Sequence, residues 1–239
     1  MERLIGGAQQ LFGLSLTERQ RQAFYLYYTE LVSWNRRFNL TAITDSEGVQ
    51  VRHFLDSLSC LLATGEIRQD QSLIDIGSGA GFPGLPLKIV FPGLRVTLLE
   101  ATGKKTDFLR HMVDVLELRD VTVVHARAEQ AGHDPRYREV YDWVTARAVA
   151  AMPTLVEYLV PFCRLGGHCL AQKGEDAAAE VSTADTAIRL LGGRLNRLVP
   201  VELPGLAETR HLVIIDKVAR TPDKYPRPPG RPAKRPLCD

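Results

Sequence analysis

One segment has the residue types and spacing of a loop that cradles a nucleotide-like ligand: Leu73-Ile74-Asp75-Ile76-Gly77-Ser78-Gly79-Ala80-Gly81-Phe82-Pro83-Gly84. Glycines permit a tight turn and let backbone N–H groups approach a ligand closely. Pro83 suits a first helical turn, where its missing donor is harmless. Glu100 ends the next β-rich run 21 residues after Gly79, where a carboxylate can accept hydrogen bonds from both ribose hydroxyls. The spacing is G-x-G-x-G, with Phe82 where the dinucleotide pattern carries its third glycine. Asp75 sits immediately before the loop, and its charge repels pyrophosphate while favouring a cationic ligand. S-adenosylmethionine, with a sulfonium, an α-ammonium and no phosphate, fits that logic better than NAD or FAD.

Further candidates lie at the ends of later β-rich runs, the end of an open α/β sheet that binds ligands. In Ala126-Arg127-Ala128-Glu129, a backbone N–H and the Glu129 carboxylate could read an adenine edge. Glu129 is equally consistent with an ordinary acid in a first helical turn. Arg147, in Ala146-Arg147-Ala148, is costly to bury alone and must face the crevice or pair with an acid. Lys173 points to the same mouth, and Lys104 and Lys105 could face phosphate or be simply solvated. His53 and Asp56, at i and i+3, could form a polar pair near the crevice or a structural one. There is no Asn-Pro-Pro-Tyr after the fourth strand to grip an exocyclic amine, and no Pro-Cys to supply a thiolate. No catalytic residue is assigned.

The elements that must hold these residues alternate. β-rich runs at 72–76, 94–100, 121–126, 141–146 and 167–173 are separated by helical patterns near 84–91, 103–117, 152–163 and 175–191. Such alternation predicts a mostly parallel sheet covered on both faces, a Rossmann-like α/β fold. Runs at 195–203 and 209–219, joined by a short link, predict an antiparallel edge hairpin. Ahead of the first strand, Ser15 with Glu18 and Thr44 with Glu47 fit capping boxes. Phe24, Tyr27, Leu31, Trp34 and Phe38 recur at helical spacing, a stripe for packing against the main domain. The expected organisation is a helical extension over 1–65, a ligand-binding α/β core over 66–219 and a basic, Pro-rich tail over 220–239.

Thirty Lys+Arg against 28 Asp+Glu leave a formal charge of only +2, which by itself argues against a nucleic-acid partner. Its distribution changes that. Residues 222–236 hold six prolines and five basic residues with one acid, so this stretch carries +4 and the rest −2. It is expected to be an extended arm, either solvated or tracking phosphates. Cys60, Cys163, Cys169 and Cys238 show no C-x-x-C spacing, so neither a zinc site nor a disulfide framework is expected. With no apolar run of membrane length and no signal-like N-terminus, the expectation is a cytoplasmic monomer without metal or membrane contact.

Taken together, these motifs resemble the bacterial RsmG (GidB) methyltransferases along nearly the whole chain. The resemblance rests on Asn39-Leu40-Thr41, His53-Phe54-Leu55-Asp56-Ser57-Leu58, the run from Asp75 to Leu87, and Lys104-Lys105. It extends through Arg127-Ala128-Glu129, Ala146-Arg147-Ala148-Val149-Ala150, Gln172-Lys173-Gly174 and the tail from Tyr225-Pro226-Arg227 to Lys234-Arg235-Pro236. It implies S-adenosylmethionine-dependent methylation of guanine N7 in the 530 loop of 16S ribosomal RNA. It also implies cofactor contact at Gly77, Phe82, Ala128, Glu129 and Arg147. Asp75, Gly79 and Glu100 join that set from the residues themselves. RNA contact is expected from Arg36, Arg37, Arg147 and Lys173, and from the tail's Lys224, Arg227, Arg231, Lys234 and Arg235. Guanine N7 carries an in-plane lone pair, so no general base is required. A small-molecule methyltransferase, a non-catalytic assembly factor with a vestigial pocket, and an NAD-dependent dehydrogenase are the competing readings.

Overall fold

The computed structural model describes residues 1–65, 67–68 and 70–237. Within them, Ser72–Ile76, Arg95–Glu100, Val121–His125, Tyr141–Arg147, Cys163–Lys173, Gly193–Val201 and Arg210–Lys217 are strands β1 to β7. They form one sheet in the order β3-β2-β1-β4-β5-β7-β6. The first five strands are parallel, and β7 runs antiparallel between β5 and β6. The expected terminal hairpin is present, with its second strand inserted beside β5 and its polar first strand left at the edge, where arginines and a proline blunt further pairing.

Strand side chains alternate between two apolar layers. Leu73, Val96, Leu98 and Leu170 join one cluster; Ile74, Ile76, Leu99, Cys169 and Ala171 join the other. Helices α1 (Glu2–Phe12) and α2 (Glu18–Phe38) cover the first layer. With them go the short α3 (Ser46–Gly48), a π-helical stretch Val49–Leu55, α4 (Asp56–Leu58), α5 (Leu61–Thr64), α6 (Gly84–Val90) and α7 (Gly103–Val115). The other face is covered by α8 (Ala128–Ala131), α9 (Met152–Leu159) and α10 (Ala177–Leu190). Phe24, Tyr27 and Leu31 of the N-terminal stripe are fully buried in the same cluster as Leu85 and Phe108.

Neither expected capping box forms. The cap of α2 is Thr17, whose hydroxyl accepts from Gln20 N–H while the Gln20 side chain accepts from Thr17 N–H. Ser15 instead donates to the Gln9 side chain, so the chain is still turning there and helix starts two residues later. The cap of α3 is Asp45, which accepts from Gly48 N–H at 2.7 Å.

The tail also departs from expectation. It lies against the molecule as a strap and ends in a helical turn, α11 (Arg231–Lys234), with Pro232 in the first turn, where proline is tolerated. A Pro-rich segment has few N–H groups for a ladder, so its carbonyls need side-chain donors. Arg138 supplies them to Thr221, Pro222 and Tyr225, and His133 lies 2.6 Å from the Pro226 carbonyl. Tyr225, Pro226 and Pro232 are buried as a result.

Candidate active site

The order β2-β1-β4 reverses direction at β1, so the carboxyl ends of β1 and β4 part into a crevice. The glycine loop leaves β1 there. Gly77, Gly79 and Gly81 all have left-handed backbone, φ +67°, +59° and +97°. Gly81 also has no room for a side chain, because a Cβ would sit 2.6 Å from the Tyr27 hydroxyl. That hydroxyl donates to the Ala80 carbonyl at 2.5 Å, so α2 grips the loop directly. Gly77 and Ser78 N–H groups donate to the Leu99 carbonyl, tying the loop to β2.

Beneath the loop, the Asp75 carboxylate is wholly buried. One oxygen accepts from Gly84 N–H at 3.0 Å, and the other has no partner among the described residues. Burial raises its pKa to about 7, partly offset by the Gly84 bond and by Arg147. Its carboxylate thus supports the loop from behind and does not line the cavity.

That cavity, of about 290 Å³, lies over the ends of β1 to β4. Gly77, Glu100, Ala128 and Glu129, four of the sequence-derived candidates, line it together. Glu100 Oε2 accepts from Gly79 N–H at 2.9 Å and Oε1 from Thr102 N–H at 2.8 Å. Each oxygen keeps a second lone pair for a ribose hydroxyl. Tyr158, Lys105 and Ala148 also line it, and the sequence does not assign them to the site. Nothing in the local pattern marks Tyr158, which reaches the site because α9 packs on β4, or Ala148, a non-glycine residue with φ +55°. The cavity is near the lower end of small-ligand clefts, roughly 300–1,000 Å³. The two acids in its lining, Glu100 and Glu129, suit a cationic nucleoside.

Phe82 and Arg147 sit together beside this cavity. The Arg147 guanidinium lies 4.8 Å from the Phe82 ring centre, and Phe82 stacks between Tyr27 and His53. Arg147 donates to Asp56 Oδ2 at 2.8 Å and to the Arg52 carbonyl at 3.0 Å, and lies 3.3 Å from His53 Nδ1. His53 and Asp56 therefore do share a face, and both address Arg147 rather than each other. Burial and the neighbouring guanidinium hold the His53 pKa down at about 3, so the ring is neutral and no ready proton carrier.

The basic candidates separate into two groups. Arg36, Arg37, Lys224, Arg231, Lys234 and Arg235 are exposed. Lys173, by contrast, pairs with Glu180 at 2.7 Å, and Arg227 with the fully buried Glu157 at 2.7 Å. Their charges are already used inside the fold. Among the described residues no cluster of three or more His, Cys, Asp or Glu could hold a metal, and no helix is long and apolar enough to cross a membrane. Cys60, Cys163 and Cys169 are buried free thiols, and Cys238 lies outside the described residues.

The family model of GidB, rRNA small subunit methyltransferase G, matches residues 20–213. The chain belongs to the GidB family. Among its relatives, the ribosomal RNA small subunit methyltransferase G of Roseiflexus sp. (strain RS-1) is 58% identical over 99% of this chain and 100% of its own length. The protein of that name from Chloroflexus aggregans is 51% identical over 99% of this chain and 98% of its own. Solved structures share the GidB core architecture at low identity. TrmN from Thermus thermophilus superposes with a TM-score of 0.52 at 18% identity, covering 69% of this chain and 48% of that one. TYW2 from M. jannaschii, in complex with AdoMet, gives 0.52 at 14%, covering 68% and 77%. These two likenesses establish the Rossmann-like methyltransferase fold, and the family match adds the relation to ribosomal RNA.

Proposed function

We propose that this chain methylates N7 of a guanine in the 530 loop of 16S ribosomal RNA, using S-adenosylmethionine. The single observation that carries the reading is the GidB match across residues 20–213, on a chain in which Gly77, Glu100, Ala128 and Glu129 line one cavity. Bound there, S-adenosylmethionine would supply an electrophilic methyl carbon on a sulfonium. Gly77, Gly79, Glu100, Ala128 and Glu129 would hold the nucleoside part, with the acids placed against its positive charge. Asp75 would keep the loop shaped from beneath, and Phe82 with Arg147 would close the side toward the N-terminal helices.

The chemistry needs no general base, and His53 is poorly suited to act as one. His53 is neutral and enclosed between Phe82 and Arg147, and N7 is unprotonated at neutral pH. Rate enhancement then comes from holding nucleophile and methyl carbon in line, an effect worth roughly 7–11 kcal/mol. The cytoplasm is the compartment proposed for it, with the helical extension 1–65 and the tail from 220 onward as walls of the core 66–219. Incubating the chain with radiolabelled S-adenosylmethionine and small ribosomal subunits or bare 16S rRNA, then mapping the modified nucleotide, tests the reading. Label on a 530-loop guanine supports it; label elsewhere, or none on either substrate, overturns it.

A further inference from the structure

We infer that the C-terminal strap is a positioning element for the methyl-donor pocket, pinned by Arg227 and Glu157, and that it links RNA phosphate binding to cofactor binding. The inference rests on the reading above that S-adenosylmethionine occupies the cavity, and begins from Glu129. Its carboxylate lines the cavity, yet one oxygen is held from outside the methyltransferase core. Gly230 N–H donates to Glu129 Oε1 at 2.9 Å. Gly230 has φ +80°, a conformation that favours glycine, and this turn aims its N–H at the pocket.

Three residues upstream is the anchor. Arg227 makes four contacts with Glu157: backbone N to Oε1 at 2.6 Å, Nε to Oε1 at 3.0 Å and Oε2 at 3.1 Å, and Nη2 to Oε2 at 2.7 Å. Glu157 has no exposed side-chain surface. Releasing Arg227 to an RNA phosphate would strand a buried carboxylate, so this arginine stays with the fold. Pro228 and Pro229, with φ restricted by their rings, make a stiff link from the anchor to Gly230. Glu157 also adjoins Tyr158, which lines the cavity with Glu129 and whose hydroxyl pKa is raised by burial and by the Glu129 charge. Strap and α9 thus converge on the same carboxylate.

Directly after Gly230 come Arg231, Lys234 and Arg235, exposed around an open depression of about 300 Å³ whose walls are Pro229, Gly230 and these three cations. Among the described residues none of the three side chains has an ion-pair partner. An RNA phosphate neutralising them would hold the Gly230 turn, and through it Glu129, in place. By linkage, a bound methyl donor would tighten RNA to the same degree.

Calorimetric titration of the full chain with S-adenosylmethionine, with and without a 16S transcript carrying the 530 loop, tests this. If the unaltered chain binds no S-adenosylmethionine, the underlying reading of the pocket fails. If it binds, the variants decide the inference. Arg227→Ala is expected to weaken S-adenosylmethionine about tenfold, the scale of one charge-assisted hydrogen bond. Arg227→Lys, which keeps the charge without the fork, should fall between. Folded variants within twofold of the unaltered chain would overturn the positioning role. Should Arg227→Ala fail to fold, Arg227→Lys carries the measurement. The transcript should tighten S-adenosylmethionine at least fivefold, and the exposed-site triple variant Arg231→Ala, Lys234→Ala, Arg235→Ala should lose that tightening. No tightening in the unaltered chain, or full tightening in the triple variant, would overturn the link.

Discussion

Glu100 ties two turns together, and its remaining lone pairs face the cavity. In Glu100→Gln one oxygen becomes an amide nitrogen, which cannot accept from Gly79 or Thr102. S-adenosylmethionine affinity should drop at least tenfold by calorimetry; an unaltered Kd would remove Glu100 from the site. Arg147 answers to a different balance. Its side chain is 14% exposed and that of Asp56 4%, so Arg147→Ala leaves a carboxylate buried and unpaired. That should cost about 3–5 kcal/mol in thermal unfolding, with much of it recovered when Asp56→Asn is added. Asp75 gives a pH signature. Its folded pKa, raised to about 7, lies above the unfolded value near 3.9, so it favours folding at low pH and that contribution is lost as pH rises through 7. His53 works in the opposite sense, with stability present above about 6.5 and lost as pH falls toward 3. Urea unfolding of Asp75→Asn beside the unaltered chain isolates the first group: the balance should move toward the variant between pH 5 and 8. A constant difference would refute ionisation in that window. The glycine loop and Glu100 were legible because their function depends on backbone spacing along the chain. Tyr158 was not, because its place depends on how α9 meets the sheet.

At the level of elements, α2 does more than close the core. Its stripe was readable from periodicity, and Phe24, Tyr27 and Leu31 are indeed fully buried. The hydroxyl of Tyr27 adds a specific contact to the Ala80 carbonyl inside the glycine loop. Tyr27→Phe keeps the ring and removes only that donor, so unfolding free energy should fall by about 0.5–1.5 kcal/mol. S-adenosylmethionine affinity should fall with it, because the loop loses its clamp; a stability loss with unchanged Kd would separate α2 from the site. Strand positions were recovered closely, since the parallel strands read as short β-rich runs between helical patterns. Helix starts were missed by one or two residues. The competing polar residues Ser15, Thr17, Thr44 and Asp45 all suit a cap, and only the path of the chain into each helix chooses among them.

Across the whole molecule, charge is distributed by partnership more than by composition. The +4 of residues 222–236 includes Arg227, whose charge is spent on Glu157, and an overall +2 conceals exposed cations on the strap and at the end of α2. RNA affinity should therefore fall with salt in a way set by the unpaired cations. Measured by filter binding, the log–log slope should shrink by roughly 0.7 for each single-strand phosphate contact removed with Arg231, Lys234 or Arg235. Lys173→Ala should leave the slope as it was, and an equal change there would show that its pair with Glu180 opens to RNA. By itself the sequence determined the alternation of strands and helices, the loop conformation that glycines permit, and the acids that end β2 and begin α8, because those depend on neighbours a few residues apart. The tertiary structure alone decided which charges remain free, that Asp75 lies under the loop, and that a Pro-rich tail docks instead of trailing. Those outcomes depend on burial and on partners about 70 to 100 residues distant, as with Glu157 and Arg227 or Glu129 and Gly230. No local pattern encodes such pairs, since the cost of an unpaired buried charge arises only once the fold has removed the water.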